Sequence, residues 1–115
     1  MTSRKTVDSL LDVIDAIDAI ERFTADVDFE SFLQNEEKIF AVEKALEIIG
    51  EAVKNIPTSV RLTYSQVPWR NIAGMRDKLA HQYWRIDVEV VWKAVIYDVP
   101  KLKLIILEIL EDLQT

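Results

Sequence analysis

The chain has 115 residues, half of them apolar and 30% charged, which is the profile of one globular domain spanning residues 1–115. Cysteine is absent, excluding disulfides and thiolate chemistry, and no apolar run approaches the roughly 20 residues of a membrane span. The opening "MTSRKTVDSL" lacks the apolar core of a signal peptide, so the cytoplasm is the expected compartment. A net charge of −6 argues against nucleic acid as a partner of the whole surface. The charge is uneven, however. Residues 61–85 carry Arg61, Arg70, Arg76, Lys78 and Arg85 against Asp77 alone, a local +4 in an acidic protein.

With two glycines and three prolines as punctuation, long helices are expected. The first covers residues 5–22, where Val7, Leu10, Leu11, Ile14, Ile17 and Ile20 follow helical spacing. Asp8, Asp12, Asp15 and Arg22 fall on its opposite face and read as a solvated surface. The second covers residues 28–55, about 40 Å long, capped by Asp26 or Asp28 and stopped by Pro57. Its apolar stripe runs Phe29, Phe32, Leu33, Phe40, Leu46, Ile49, Val53 and Ile56. Residues 57–67 form a connection with room for one helical turn.

A third helix starts near Ser65 or Val67, with Pro68 in its first turn and Trp69, Ile72, Met75 and Leu79 along one side. It fades at residues 82–85. Asp87 caps a fourth helix bearing Val88, Val91, Trp92, Val95 and Ile96, which ends at Val99 because Pro100 disfavours helix before it. Pro100 opens a fifth, "PKLKLIILEILEDL". That helix is apolar on more than one face, so it is either deeply buried or covered by another subunit. Gly74, inside the third helix, costs about 1 kcal/mol relative to alanine and suggests close approach of a helix or ligand. The fold class is all-α: an antiparallel four-helix bundle with a short or terminal fifth helix.

The chemistry concentrates in "MRDKLAHQYW", residues 75–84, which holds the only histidine. On a helix Arg76 and Tyr83 share a face, Asp77 and His81 form an i, i+4 pair, and Arg76 and His81 stand about 140° apart. An exposed imidazole titrates near 6.5, and a neighbouring carboxylate favours its protonated form. Arg76 offers a permanent planar fork for phosphate oxygens. Imidazole plus guanidinium suffices, without metal, for attack of an RNA 2′-OH on its own phosphodiester: the histidine moves the proton and the arginine stabilises charge on phosphorus. Residue types alone leave other roles open. His81 can be a surface or capping residue, and Tyr83 and Trp84 can be packing residues with polar tips. One histidine and no cysteine leave no common zinc spacing, and no Gly-rich phosphate loop is present. No metal or cofactor is expected.

The stretch "VPWRNIAGMRDKLAHQYWRIDVEVVW" resembles the signature region of HepT-like proteins of the HEPN superfamily. Arg76, His81 and Tyr83 match that family's R-x4-H-x-Y motif, and Trp69, Ile72, Gly74, Met75, Leu79, Ala80, Asp87 and Trp92 fit the surrounding pattern. The family commonly places asparagine after the arginine, where this chain has Asp77. The resemblance implies a metal-independent endoribonuclease toxin of a toxin–antitoxin pair. It also implies a homodimer whose Arg and His motifs meet across a cleft. The implied partner is an MntA-like minimal nucleotidyltransferase that transfers AMP to the motif tyrosine, here Tyr83, forming a hetero-oligomer with the toxin. On this reading Arg76 and His81 are catalytic, Asp77 supports His81, and Arg70, Lys78 and Arg85 contact RNA. The rival expectation is a non-catalytic helical subunit that docks a nucleotidyltransferase.

Overall fold

The computed structural model describes residues 4–80 and 87–114, with the side chains of residues 75–80 left aside. Helix α1 spans Arg4–Thr24 and buries Leu10, Val13, Ala16, Ile17 and Ile20. The buried stripe is rotated from the one expected: Leu11 is 45% exposed, and Val13 replaces it in the core. Asp8, Asp12, Asp15 and Arg22 lie on the exposed side, as their solvated reading requires.

The single helix expected over residues 28–55 is two. Helix α2 spans Phe29–Leu33 and helix α3 spans Glu36–Lys54. Two polar side chains cause the break. Asp28 caps α2 by accepting from Ser31 N at 2.8 Å, and Asn35 caps α3 by accepting from Lys38 N at 3.0 Å. Each satisfies an N–H that the first turn of a helix leaves without a partner. Asp26, the other candidate cap, instead turns the chain after α1 in a left-handed conformation, φ 58°. That region is accessible to Asp more than to most residues. The break re-aims α2, so that Phe29 and Phe32 meet Trp92 with ring centroids 6.0 and 5.0 Å apart. Leu33 and Phe40, expected in the core, are 42% and 51% exposed.

Helix α4, Thr58–Thr63, is the turn of helix expected in the connection. Helix α5 spans Trp69–Ala80, and Pro68 stands just before it, its carbonyl accepting from Ile72 N. Helix α6, Val88–Lys93, is capped by Asp87, which accepts from Val90 N at 3.2 Å. No break follows at Val99. A π turn, Ala94–Asp98, leads directly into helix α7, Val99–Gln114, so residues 88–114 form one helical path. Proline has no N–H, and its ring collides with the carbonyl four residues back. Here Val99 N donates to Ala94 O, five residues back. The wider turn accommodates Pro100 without ending the helix.

Helices α1, α3, α5 and the α6–α7 path make the four-helix bundle. α3 packs lengthwise on both α1 and α5, and α7 packs on α1. Lys38 Nζ, in the first turn of α3, reaches Phe23 O near the end of α1, so these two helices run antiparallel. Lys103 on α7 bridges Asp18 and Glu21 of α1 at 3.6 and 2.7 Å, and both carboxylates favour its charged form, Glu21 the more. One face of α7 enters the core through Val99, Leu102, Ile106 and Ile109. Its second apolar face stays open: Leu104 is 70% exposed, with Leu107, Ile96 and Tyr97 beside it. Among the described residues, no helix is long and apolar enough to cross a membrane.

Candidate ribonuclease site

The motif helix α5 is anchored at its first residue. Trp69 is 6% exposed, and its indole N–H points at two carbonyls, Tyr64 O at 3.0 Å and Arg61 O at 3.2 Å. A buried indole needs such an acceptor, so the tryptophan fixes both the position and the rotation of the helix. Arg61 extends the anchor. Its Nη2 donates to Val53 O at 2.6 Å and its Nε to Ile56 O at 3.0 Å, setting a charged donor on carbonyls where the chain leaves α3. Arg61 therefore spends its charge on the fold, and the basic face of residues 61–85 loses one member that its sequence counted. Tyr64, beside it, donates its hydroxyl to Asp112 on α7, and that hydrogen bond pushes the phenol up to about 12.

With Trp69 turned inward, Arg70, Asn71 and Gly74 are exposed on the outside of α5. A Cβ added at Gly74 would meet nothing within 4 Å. Among the described residues, no close helix contact, one of the two uses expected of this glycine, is made. What the glycine leaves is an uncrowded strip of helix, open to a ligand or a second molecule. At helical spacing the line Arg70–Gly74 continues in sequence through Asp77 and Lys78 to His81. The backbone of Arg76, Asp77 and Lys78 belongs to α5, but their side chains lie outside the described residues, as do His81, Tyr83 and Arg85 entirely. Of the expected site residues, Arg70 alone is fully placed, exposed at the start of the helix. A groove of about 370 Å³ lies beside α5, between Pro68, Asn71 and Ile72 and, across from them, Asp98 of the π turn and Lys101 and Ile105 of α7.

One residue that the sequence reading passed over stands out. Glu43 on α3 is 8% exposed, and its Oε2 has no hydrogen-bond partner among the described residues. Burial raises its carboxyl above the ordinary range, with Glu47 adding to the shift. A signal existed in the sequence. Glu43 interrupts the apolar series at i+4 from Ile39 and three before Leu46, where periodicity calls for a hydrophobic side chain.

The Ribonuclease HepT-like family matches residues 13–109 of this chain. The protein named "Probable ribonuclease HepT" of Thermococcus cleftensis is 50% identical over 100 residues, covering 87% of this chain and 91% of its own length. "Putative RNase MJ0125" of Methanocaldococcus jannaschii is 43% identical, covering 91% and 90%. "Putative RNase TTE0752" of Caldanaerobacter subterraneus is 42% identical, covering 74% and 76%. No solved structure gave a significant match. An all-α bundle, an R-x4-H-x-Y motif whose arginine lies on its tryptophan-anchored helix, and relatives aligned over most of the length agree: the chain belongs to the Ribonuclease HepT-like family, within the HEPN class of helical proteins.

Proposed function

We propose that this protein is a metal-independent endoribonuclease that acts as the toxin of a toxin–antitoxin pair. The observation that carries the reading is the family match over a chain whose basic, histidine-bearing motif begins on the exposed helix α5. His81 takes the proton from the RNA 2′-OH as that oxygen attacks the adjacent phosphorus. Arg76 holds the non-bridging oxygens while negative charge builds on them. The 5′-oxygen leaves with a proton, and the products are a 2′,3′-cyclic phosphate and a 5′-hydroxyl. Asp77 supports the imidazole, and Arg70, Lys78 and Arg85 grip flanking phosphates. The open strip at Gly74 lets a sugar–phosphate backbone lie close to the helix.

The site is shared by two copies. By sequence spacing, residues five apart on one helix, as Arg76 and His81 would be, stand about 140° apart, so a single chain would meet both only with difficulty. A two-fold axis brings the arginine of one copy toward the histidine of the other. The uncovered apolar residues Ile96, Tyr97, Leu104 and Leu107 are consistent with a second subunit. The antitoxin is an MntA-like nucleotidyltransferase, bound to the toxin as a hetero-oligomer, that transfers AMP from ATP to Tyr83. By helical spacing Tyr83, seven residues after Arg76, would share its face, so each added phosphate would compete for the guanidinium that RNA needs.

The test is purified protein incubated with mixed RNA in EDTA. Cleavage to cyclic-phosphate ends supports the enzyme. Intact RNA together with tight binding of the transferase supports the second reading, a non-catalytic subunit, which Asp77 favours by setting a carboxylate beside the phosphate site. For the modification, mass spectrometry after incubation with the transferase and ATP should locate AMP on Tyr83 and find none on Tyr83→Phe.

A further inference from the structure

Several hollows on the bundle are large enough for a ligand, and their polar groups tell them apart. The groove between α1 and α3 carries Asp12 and Asp15, which repel an anion. The hollow beside Trp92 holds Lys93 and Glu89, tied to each other at 3.2 Å. The groove between α5 and α7 differs from both. Its volume of about 370 Å³ falls in the small-ligand range of about 300–1,000 Å³. Its floor is apolar, with Leu102 buried and Ile72 and Ile105 half-buried. Asn71, Asp98 and Lys101 stand exposed around that floor.

Elsewhere on α7 charged side chains are engaged in the fold. Lys103 bridges Asp18 and Glu21, and Asp112 accepts from Tyr64. The side chains of Asn71, Asp98 and Lys101 have no hydrogen bond or ion pair among the described residues. Together they offer an amide that donates and accepts, a carboxylate that only accepts and an ammonium that only donates. An apolar floor ringed by such a set suits a flat heteroaromatic ring with polar edges. Single-stranded RNA presents its unpaired bases to proteins in that way. The groove is also placed for it. Asn71 is the neighbour of Arg70 on α5, and Gly74, one turn on, leaves the helix surface uncrowded. A strand whose phosphate meets Arg70 therefore has a base within reach of the groove. The carboxylate of Asp98 repels phosphate, so it keeps the backbone on the Arg70 side and admits the base.

We propose that the α5–α7 groove is a base subsite for single-stranded RNA, selecting a base that carries an exocyclic amino group. The proposal rests on the ribonuclease reading for the identity of the strand, and on the groove's own lining for the base. Adenine, cytosine and guanine each turn an amino N–H outward, and the Asp98 carboxylate accepts it. Uracil has no amino group. Its pairing edge sets a carbonyl on each side of one N–H, and a carboxylate facing it meets lone pairs. Lys101 donates to a ring nitrogen or carbonyl of the base, and Asn71 pairs with whichever group remains. The groove thus acts on binding and register of the strand and takes no part in proton transfer.

Binding is read without cleavage, by NMR of the full chain titrated with AMP and, separately, with UMP. AMP should move the side-chain amide signals of Asn71, and UMP should bind about fivefold more weakly, the worth of one hydrogen bond. Asp98→Asn should bring the two nucleotides within about twofold, because an amide can turn to donate to the uracil carbonyls. Lys101→Ala should weaken both nucleotides severalfold. Both side chains are exposed, so neither variant should shift the melting temperature. A 2′-O-methylated oligoadenylate, which lacks the attacking hydroxyl and stays whole, should displace AMP at about tenfold lower concentration through its added phosphate contacts. In RNA cleavage, the preference for adenosine over uridine should appear in KM, with kcat within about twofold. Asn71 signals unmoved by AMP overturn the proposal, and so does an unchanged AMP-to-UMP ratio in Asp98→Asn. Should that variant not fold, wild-type affinity for AMP in Lys101→Ala overturns it equally. An oligoadenylate that binds no better than AMP assigns the groove to a free nucleotide and overturns the RNA subsite. A wild type that binds the oligoadenylate in the groove yet leaves RNA intact would refute the ribonuclease reading and leave the subsite standing.

Discussion

Arg61 and Arg70 look alike in the sequence, two arginines nine residues apart in the one basic stretch. In the fold they differ completely. Arg61 is turned onto the carbonyls of Val53 and Ile56, whereas Arg70 is exposed on α5. Arg61→Met should lower stability by about 1–2 kcal/mol in urea unfolding, since buried carbonyls lose a charged donor. It should leave the salt dependence of RNA binding unchanged. Arg70→Ala should do the reverse: stability within about 0.5 kcal/mol of wild type, and a slope of log K against log salt shallower by about 0.7, one single-strand phosphate contact. Asp28 supplies a pH test. The backbone N–H of Ser31 holds its carboxyl below the ordinary value of 3.8. A depressed carboxylate contributes stability that is present above the unfolded pKa and lost as pH falls through the lower, folded one. The melting temperature of the wild type should thus fall more steeply below pH 4 than that of Asp28→Asn, which caps without a charge. The sequence marked Asp28 as a cap because its chemistry is local. Arg61 was illegible because its acceptors are backbone carbonyls at and just past the end of α3, which no charge count contains.

At the level of elements, periodicity located the main helices, and short-range chemistry decided where they end. The stripe from Phe29 to Ile56 reads continuously, and only Asn35, polar and able to cap, marks the break between α2 and α3. Asn35→Ala should cost about 1 kcal/mol, while Asn35→Gly should cost a few tenths. Pro100 shows the converse. Proline is a strong stop signal, yet the π turn at Ala94–Asp98 carries the helix through it. Sequence pattern does not register the π turn, because a one-residue change in hydrogen bonding leaves the apolar spacing nearly intact. Restoring an N–H donor by Pro100→Ala should raise stability, by up to the roughly 3 kcal/mol that separates proline from alanine inside a helix. A fall in melting temperature would show that the π turn is favoured by its neighbours and is no accommodation to proline. The expected core shifted for a related reason. Leu11, Phe40 and Ile96 fit helical spacing as well as Val13 and Val42 do, and the rotation of each helix is set by its partners.

For the whole molecule, the all-α bundle was legible because nothing in the chain alternates with period two and few residues break helices. The motif was legible because its residue types are rare here: one histidine, and five of the 14 basic side chains within 25 residues. Glu43 is a property of the assembled bundle. Light scattering should give twice the 13.3 kDa chain mass for the isolated protein, the assembly that a shared site requires.

The account turns on a site divided between two chains, and mixed mutants test it most directly. Arg76→Ala and Histidine-81-to-alanine (H81A) homodimers should each be inactive on RNA in EDTA. After co-refolding in equal amounts, half of the dimers are mixed, and one of the two sites in each mixed dimer pairs an intact arginine with an intact histidine. The mixture should recover about a quarter of the wild-type rate per chain. A mixture as silent as its components, beside an active wild type and proven exchange of subunits, would contradict a site built from two copies.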